Sequence, residues 1–293
     1  MELRVEQLHI TARMKGGVKS TVVEEVSLSV EQGRRLAIVG RSGCGKTMTA
    51  MAILGLLPEN CKESGCVRWN GQNLLAMSAR QRRNLLGTEL VLIPQSGADF
   101  LNPSLRVRRQ FCEAMQRAGI PKGNQKETMY RLLECVGFEQ PDRVLQSYPF
   151  QLSGGMAQRV IMAMAAVGNP GLVIADEPTR GIDHENTRNF LENLDALFGQ
   201  AAVLLITHDI SVAIACDDVL VMNAGCMVEY GPAVQVLRHP KNAYTRELIR
   251  NLPKADDAGN IIECDAAMRV RKYGNRACDH EPGYLSHTQR GDC

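Results

Sequence analysis

The octapeptide Gly40-Arg41-Ser42-Gly43-Cys44-Gly45-Lys46-Thr47 limits what this chain can fold into more than any other stretch, because it has the spacing G-x-x-x-x-G-K-[ST]. Its flanks agree with it. Leu36 to Val39 is short and wholly apolar, as a buried strand is, and Met48 to Leu57 is a longer run of helix formers that stops at Pro58. A strand turning through glycines into a helix aims backbone N–H groups and the positive end of the helix dipole at one point, which suits a phosphate. In that geometry the backbone of Gly40, Ser42, Gly43, Cys44, Gly45 and Met48 lines the cradle, Lys46 reaches the β- and γ-phosphates of a nucleotide, and the Thr47 hydroxyl ligates Mg²⁺. The helix end and Lys46 should also lower the thiol pKa of Cys44 and favour its thiolate. Burial beneath the loop is the opposing possibility.

The chain has 293 residues, room for one large domain or one and a half. With 34 basic against 32 acidic side chains, net +2, nothing favours nucleic acid as the main partner. The longest apolar runs, such as Val160 to Val167, fall short of the roughly 20 residues that span a bilayer. The first residues carry neither a basic nor an apolar leader region, so a cytosolic location is expected. Ten Cys, scattered and without a C-x-x-C pair, read as reduced thiols.

In chain order, residues 2–10 and 22–30 alternate apolar and polar side chains as two antiparallel strands. Cys66 to Gly71 reads as a strand and turn, and Ser78 to Leu86 as a polar helix. Leu90 to Pro94 is a buried strand that delivers Gln95 to its end, where a ligand-facing residue of an open α/β sheet belongs. A helical segment follows, with Val107 to Ala118 and Gln125 to Val136 as its clearest pieces. Leu152-Ser153-Gly154-Gly155-Met156 then opens a helix to Val167, a second phosphate-sized N-terminus. Leu172 to Ala175 is a strand ending in Asp176 and Glu177, suited to a Mg²⁺-water ligand and a water-polarising base. After a helix over 184–198, Ala202 to Ile206 leads into Thr207-His208-Asp209, and two strands around Asn223-Ala224-Gly225 close a hairpin. Singly, Gln95 is a surface amide, Ser153 an ordinary helix cap, the two acids turn residues and His208 a structural histidine. Their order behind a P-loop gives them a common reading.

Those five elements, GRSGCGKT, Gln95, LSGGMAQR, LVIADEP and THD, resemble the ATPase subunit of an ABC transporter over about residues 1–252. The resemblance implies an α/β P-loop NTPase of ABC type: a RecA-like core with an antiparallel β subdomain and a helical insertion near 96–160, in a domain of residues 1–253. Residues 254–293 read as a mobile extension with no phosphate motif. It further implies that Gln95 is the Q-loop glutamine, Asp183 the D-loop aspartate and His208 the switch histidine. Thr47, Gln95 and Asp176 would hold Mg²⁺, and Glu177 would be the catalytic carboxylate, with His208 and Gln95 beside it. Two subunits of this family sandwich two ATP molecules, so Ser153, Gly154 and Gly155 would serve the partner's nucleotide.

The wording around Tyr148 to Met156, Phe100 to Pro103 and His239 to Thr245 looks like the peptide/nickel importer group. That implies a second, different ATPase subunit, two membrane permeases facing residues 96–105, an external substrate-binding protein, and a place on the cytoplasmic face of the membrane. Peptides, nickel and metal chelates are all open as cargo. The chain departs from the group in its D-loop, Thr179-Arg180-Gly181-Ile182-Asp183, in the wide spacing of Cys264, Cys278 and Cys293, and in lacking an adenine-stacking aromatic near Ala12 and Arg13. The competing reading is a soluble ABC ATPase acting on ribosomes or DNA, against which stand the single P-loop and the absence of basic arms.

Overall fold

The computed structural model describes residues 1–14, 16–95, 100–179 and 184–251. The predicted elements near Asp183 and beyond residue 251 lie outside the described residues, as does the start of the predicted permease-facing stretch.

Among the described residues, ten strands form one sheet in the order β5-β4-β1-β2-β10-β9-β3-β8-β7-β6. At one end β1 (Glu2–Arg13), β2 (Lys19–Glu31), β4 (Cys61–Trp69) and β5 (Gln72–Asn73) pair antiparallel. At the other, β3 (Arg35–Val39), β6 (Leu90–Ile93), β7 (Leu172–Asp176) and β8 (Ala202–Ile206) run parallel, joined to the rest by the hairpin β9 (Asp218–Asn223) and β10 (Cys226–Pro232). The hairpin reading of residues 219–230 and the four buried strands stand as the sequence predicts them; their parallel pairing is seen in the structure.

The parallel strands are apolar throughout because both faces are covered. Alternate residues go to different cores. Ala37, Val173, Ala175, Val203, Leu205, Val219 and Val221 join one core, which the following helices build. Leu36, Ile38, Ile174, Leu204, Ile206 and Leu220 join the other, with α1 (Lys46–Leu54) and the antiparallel strands. A helix wedged between two layers buries most of its surface, which is why Ala50, Ala52, Ile53 and Leu54 are all apolar and buried.

α2 (Ala79–Leu85) is fixed by a reciprocal cap between Ser78 and Gln81. Between β6 and β7 come α3 (Val107–Arg117), α4 (Lys122–Cys135), α5 (Pro141–Gln146) and α6 (Gly154–Ala165). The chain then continues through α7 (His184–Phe198), α8 (Ile210–Ile214), α9 (Ala233–Arg238) and α10 (Ala243–Asn251). Several boundaries differ from the sequence reading: β1 runs on to Arg13, β2 starts at Lys19 and α4 at Lys122. α1 begins at Lys46 and ends at Leu54, since Gly55 turns left-handed and the N–H of Leu56 returns to Met51 O at 2.8 Å. β4 begins at Cys61 rather than Cys66, because β1 offers it partners as far as Ala12.

Candidate active site

Strand register brings the scattered motifs to one edge. Ile38 pairs with Ile206, and Ile206 with Asp176, so the P-loop, His208 and Glu177 all leave the sheet at the same level. Ile93 pairs with Ala175, which brings Pro94 level with Asp176 and puts Gln95, exposed, one residue further out. The edge is pinned by backbone bonds from Thr207 N to Ile38 O (3.1 Å) and from Glu177 N to Ile206 O (2.8 Å).

The P-loop is tightly seated at its two ends. A Cβ on Gly40 would lie 2.3 Å from Met222 O, and one on Gly45 would lie 2.9 Å from Val22 O. Gly45 also has φ +102°, so glycine is required there both by space and by backbone. Lys46 is buried, and its ammonium donates to Gly40 O (2.8 Å) and Arg41 O (3.2 Å), arching over the loop. Ser42, Gly43 and Thr47 are exposed. Cys44 is the correction: it is buried, and burial pushes its thiol up despite the nearby Lys46 ammonium, against the lowered pKa predicted from the motif.

Asp176 is also buried, and its Oδ1 finds no hydrogen-bond partner. Burial pushes its carboxyl up; the Thr47 hydroxyl opposes this, the adjacent Glu177 adds to it, and Lys46 again opposes it. Glu177 follows in a left-handed conformation, φ +43°, which costs a non-glycine residue on the order of 1–2 kcal/mol. That turn directs its carboxylate to His208, with Oε2 3.3 Å from Nδ1. The histidine is 49% exposed and the glutamate 13%, so the pair sits at the mouth of the site.

Ser153 caps α6, its Oγ accepting from Met156 N at 3.2 Å. A Cβ at Gly154 or Gly155 would touch nothing within 4 Å, so this N-terminus opens outward. Among the described residues no hydrogen bond joins Ser153, Gly154 or Gly155 to the P-loop; α6 packs on α4, α7 and β6. The β1–β2 turn exposes Met14 and Val18, and no aromatic side chain occurs there. Asp183, the remaining candidate, lies outside the described residues.

Two contacts escape motif reading. The Gln158 side-chain amide donates to Pro178 O, the residue after Glu177, and so ties α6 to the carboxylate turn. The other is at Arg41, whose N–H donates to Tyr244 Oη of α10 at 3.2 Å. A Gln inside LSGGMAQR gives a faint signal for the first; nothing local signals the second.

The profile of the ABC transporter family matches residues 23–180, which include the P-loop, Gln95, the α6 N-terminus and Asp176–Glu177. The chain belongs to the ABC transporter family. The dipeptide transport ATP-binding protein DppD of Haemophilus influenzae is 37% identical over 256 residues, covering 86% of this chain and 78% of that protein. The oligopeptide transport ATP-binding protein OppD of Salmonella typhimurium is 36% identical over 261 residues, covering 88% and 78%. In fold, a dimeric ATP-binding cassette solved in a post-hydrolysis state with ADP and Pi superposes with TM-score 0.69 at 22% identity, over 79% of this chain and 98% of that one. This ABC-family chain is therefore a nucleotide-binding ATPase with the P-loop fold the sequence predicts. Among the described residues, no helix is long and apolar enough to cross a membrane.

Proposed function

We propose that the chain is the ATP-hydrolysing motor of a membrane importer for peptides, seated on the cytoplasmic face against two permeases. The carrying observation is the buried, unpartnered Asp176 Oδ1 beside the Thr47 hydroxyl, one residue before a carboxylate turned toward His208. A buried carboxylate oxygen without a partner is costly unless a cation or its water meets it. Thr47, Asp176 and Gln95 fit Mg²⁺ by donor chemistry, all hard oxygens, and the ion when bound would neutralise charge on the β- and γ-phosphates.

The chain's own groups do the rest. The Lys46 ammonium exchanges two backbone carbonyls for phosphate oxygens, which are stronger acceptors because they are charged. Glu177 orients the attacking water and polarises its O–H bond; His208, held by Glu177, faces the γ-phosphate from the neighbouring strand end. The open N-terminus of α6, with Ser153, Gly154 and Gly155, offers N–H groups to a nucleotide on a second ATPase subunit, a different chain by the group's pattern. Asp183 would cross the same interface.

Peptide cargo is favoured over nickel because the similar curated proteins named above are a dipeptide and an oligopeptide transport subunit. The same similarity disfavours the ribosome or DNA reading. Permease docking is supported by two exposed aromatic side chains, Phe150 (74% exposed), stacked on the half-buried Tyr148 at 5.5 Å, and Phe100 (63% exposed) in the permease-facing stretch; an external binding protein would deliver the cargo.

The test is Glu177→Gln in the complex with its partner subunit and permeases, with the partner's own site disabled. MgATP affinity should stay near wild type while hydrolysis falls roughly 100-fold or more, the worth of a positioned base. Wild-type turnover in that complex refutes the assignment.

A further inference from the structure

Arg41, the second residue of the P-loop, is gripped from both sides of its own backbone. Its carbonyl accepts from Lys46 Nζ at 3.2 Å and from Cys44 N at 3.3 Å, while its N–H donates to Tyr244 Oη at 3.2 Å. Its guanidinium lies 5.8 Å from the Tyr244 ring centre and 2.6 Å from Glu247 Oε1, one turn further along α10. From sequence this loop and this helix are unrelated, being 203 residues apart.

The helix is a firm support. Asn242 Oδ1 accepts from Tyr244 N at 2.8 Å at its start, and Glu229 of β10 accepts from Lys241 N (2.9 Å) and Asn242 N (3.2 Å). Thr245 and Leu248 are buried in the body of the domain. Tyr244 Oη is thus held by β10 and the core, independently of the loop it touches.

The two holds on Arg41 have different fates when phosphate binds. Lys46 turns N–H donors from Gly40 O and Arg41 O to reach phosphate oxygens, which weakens the ties inside the loop and leaves Cys44 N on Arg41 O. The Tyr244 bond is not spent in this way. We infer that α10 is a brace for the P-loop, with Tyr244 as a positioning residue that keeps the loop in its phosphate-accepting shape while Lys46 turns to the nucleotide. Glu247 contributes by holding the Arg41 side chain against the helix; both partners are more than half exposed, so its share is small. The inference rests on the ATPase reading above. Affinity for a ligand falls in proportion to the fraction of protein in the competent shape, so a weaker brace acts on binding rather than on chemistry.

The experiment uses the full chain with Tyr244→Phe, which keeps the ring and its packing and removes only the hydroxyl. Losing one neutral hydrogen bond predicts a rise of roughly threefold to tenfold in KM for MgATP and in Kd for MgADP, with kcat changed less than about twofold. The nucleotide-free melting temperature should fall by no more than about 2–4 °C, the worth of one hydrogen bond, which separates positioning from a general loss of stability. Tyr244→Phe/Glu247→Gln should weaken both nucleotides at least as much. Wild-type KM and MgADP affinity in the double variant overturn the brace, as does a fall in kcat at constant KM. A wild-type chain that binds neither nucleotide would overturn the ATPase reading itself, a different and distinguishable failure.

Discussion

Asp176→Asn should make the nucleotide-free protein more stable while abolishing its response to MgATP. The wild-type carboxylate is buried, one oxygen is without a partner, and burial outweighs Thr47 and Lys46 in setting its pKa above the ordinary value of 3.8. An unsatisfied buried polar group costs about 1–3 kcal/mol, and a neutral amide of the same shape carries less of that cost than an anion. A gain of roughly 1 kcal/mol is therefore expected at pH 7, or about 2–4 °C in Tm for a domain of this size. The pH dependence follows from the direction of the shift. A carboxyl with a raised folded pKa binds its proton more tightly folded than unfolded, so its contribution to stability is greatest below the unfolded value and is lost as pH rises through the folded one. The variant lacks this loss, so its advantage should be absent near pH 4 and grow toward pH 7. MgATP at 100 times Kd should add about 2.7 kcal/mol to the wild type and nearly nothing to the variant. Calorimetry at several pH values, with and without MgATP, measures all of these. If Asp176→Asn destabilises the free protein by the same amount at every pH, the carboxylate is satisfied without a cation and the proposed Mg²⁺ role fails.

Two further outcomes are expected. Maleimide at pH 7 should modify Cys44 roughly tenfold more slowly than the half-buried Cys61 and Cys66, by peptide mass spectrometry, since burial both raises its pKa and blocks access; first reaction at Cys44 would refute this. Arg159→Ala should lower Tm on the order of 4–8 °C, because the guanidinium caps Val136 O and Gly137 O at 3.3 Å and stacks 4.5 Å from the Phe138 ring centre, together about 2 kcal/mol; an unchanged Tm would show these contacts contribute nothing.

What the sequence determined by itself is everything that depends on neighbours in the chain. The strand, the glycine turn and the helix at Gly40 to Thr47 are written in one short stretch, as are the caps at Ser78 and Ser153 and the acids that follow β7, because propensity, periodicity and capping act within a few residues. Strand order is not local. That β3 lies between β9 and β8, and β7 beside β6, is decided by which apolar faces bury one another, and only that order sets Glu177 against His208 and Gln95 at the same edge. Burial is not local either. The motif around Cys44 argues for a thiolate, yet Gly40 packs on Met222 and Cys44 sinks into the core beneath the loop, where desolvation outweighs the ammonium two residues away. The same holds for Arg41, whose backbone partner sits on the last described helix: a hydrogen bond across 203 residues has no period, and only the closed tertiary structure brings Tyr244 to it.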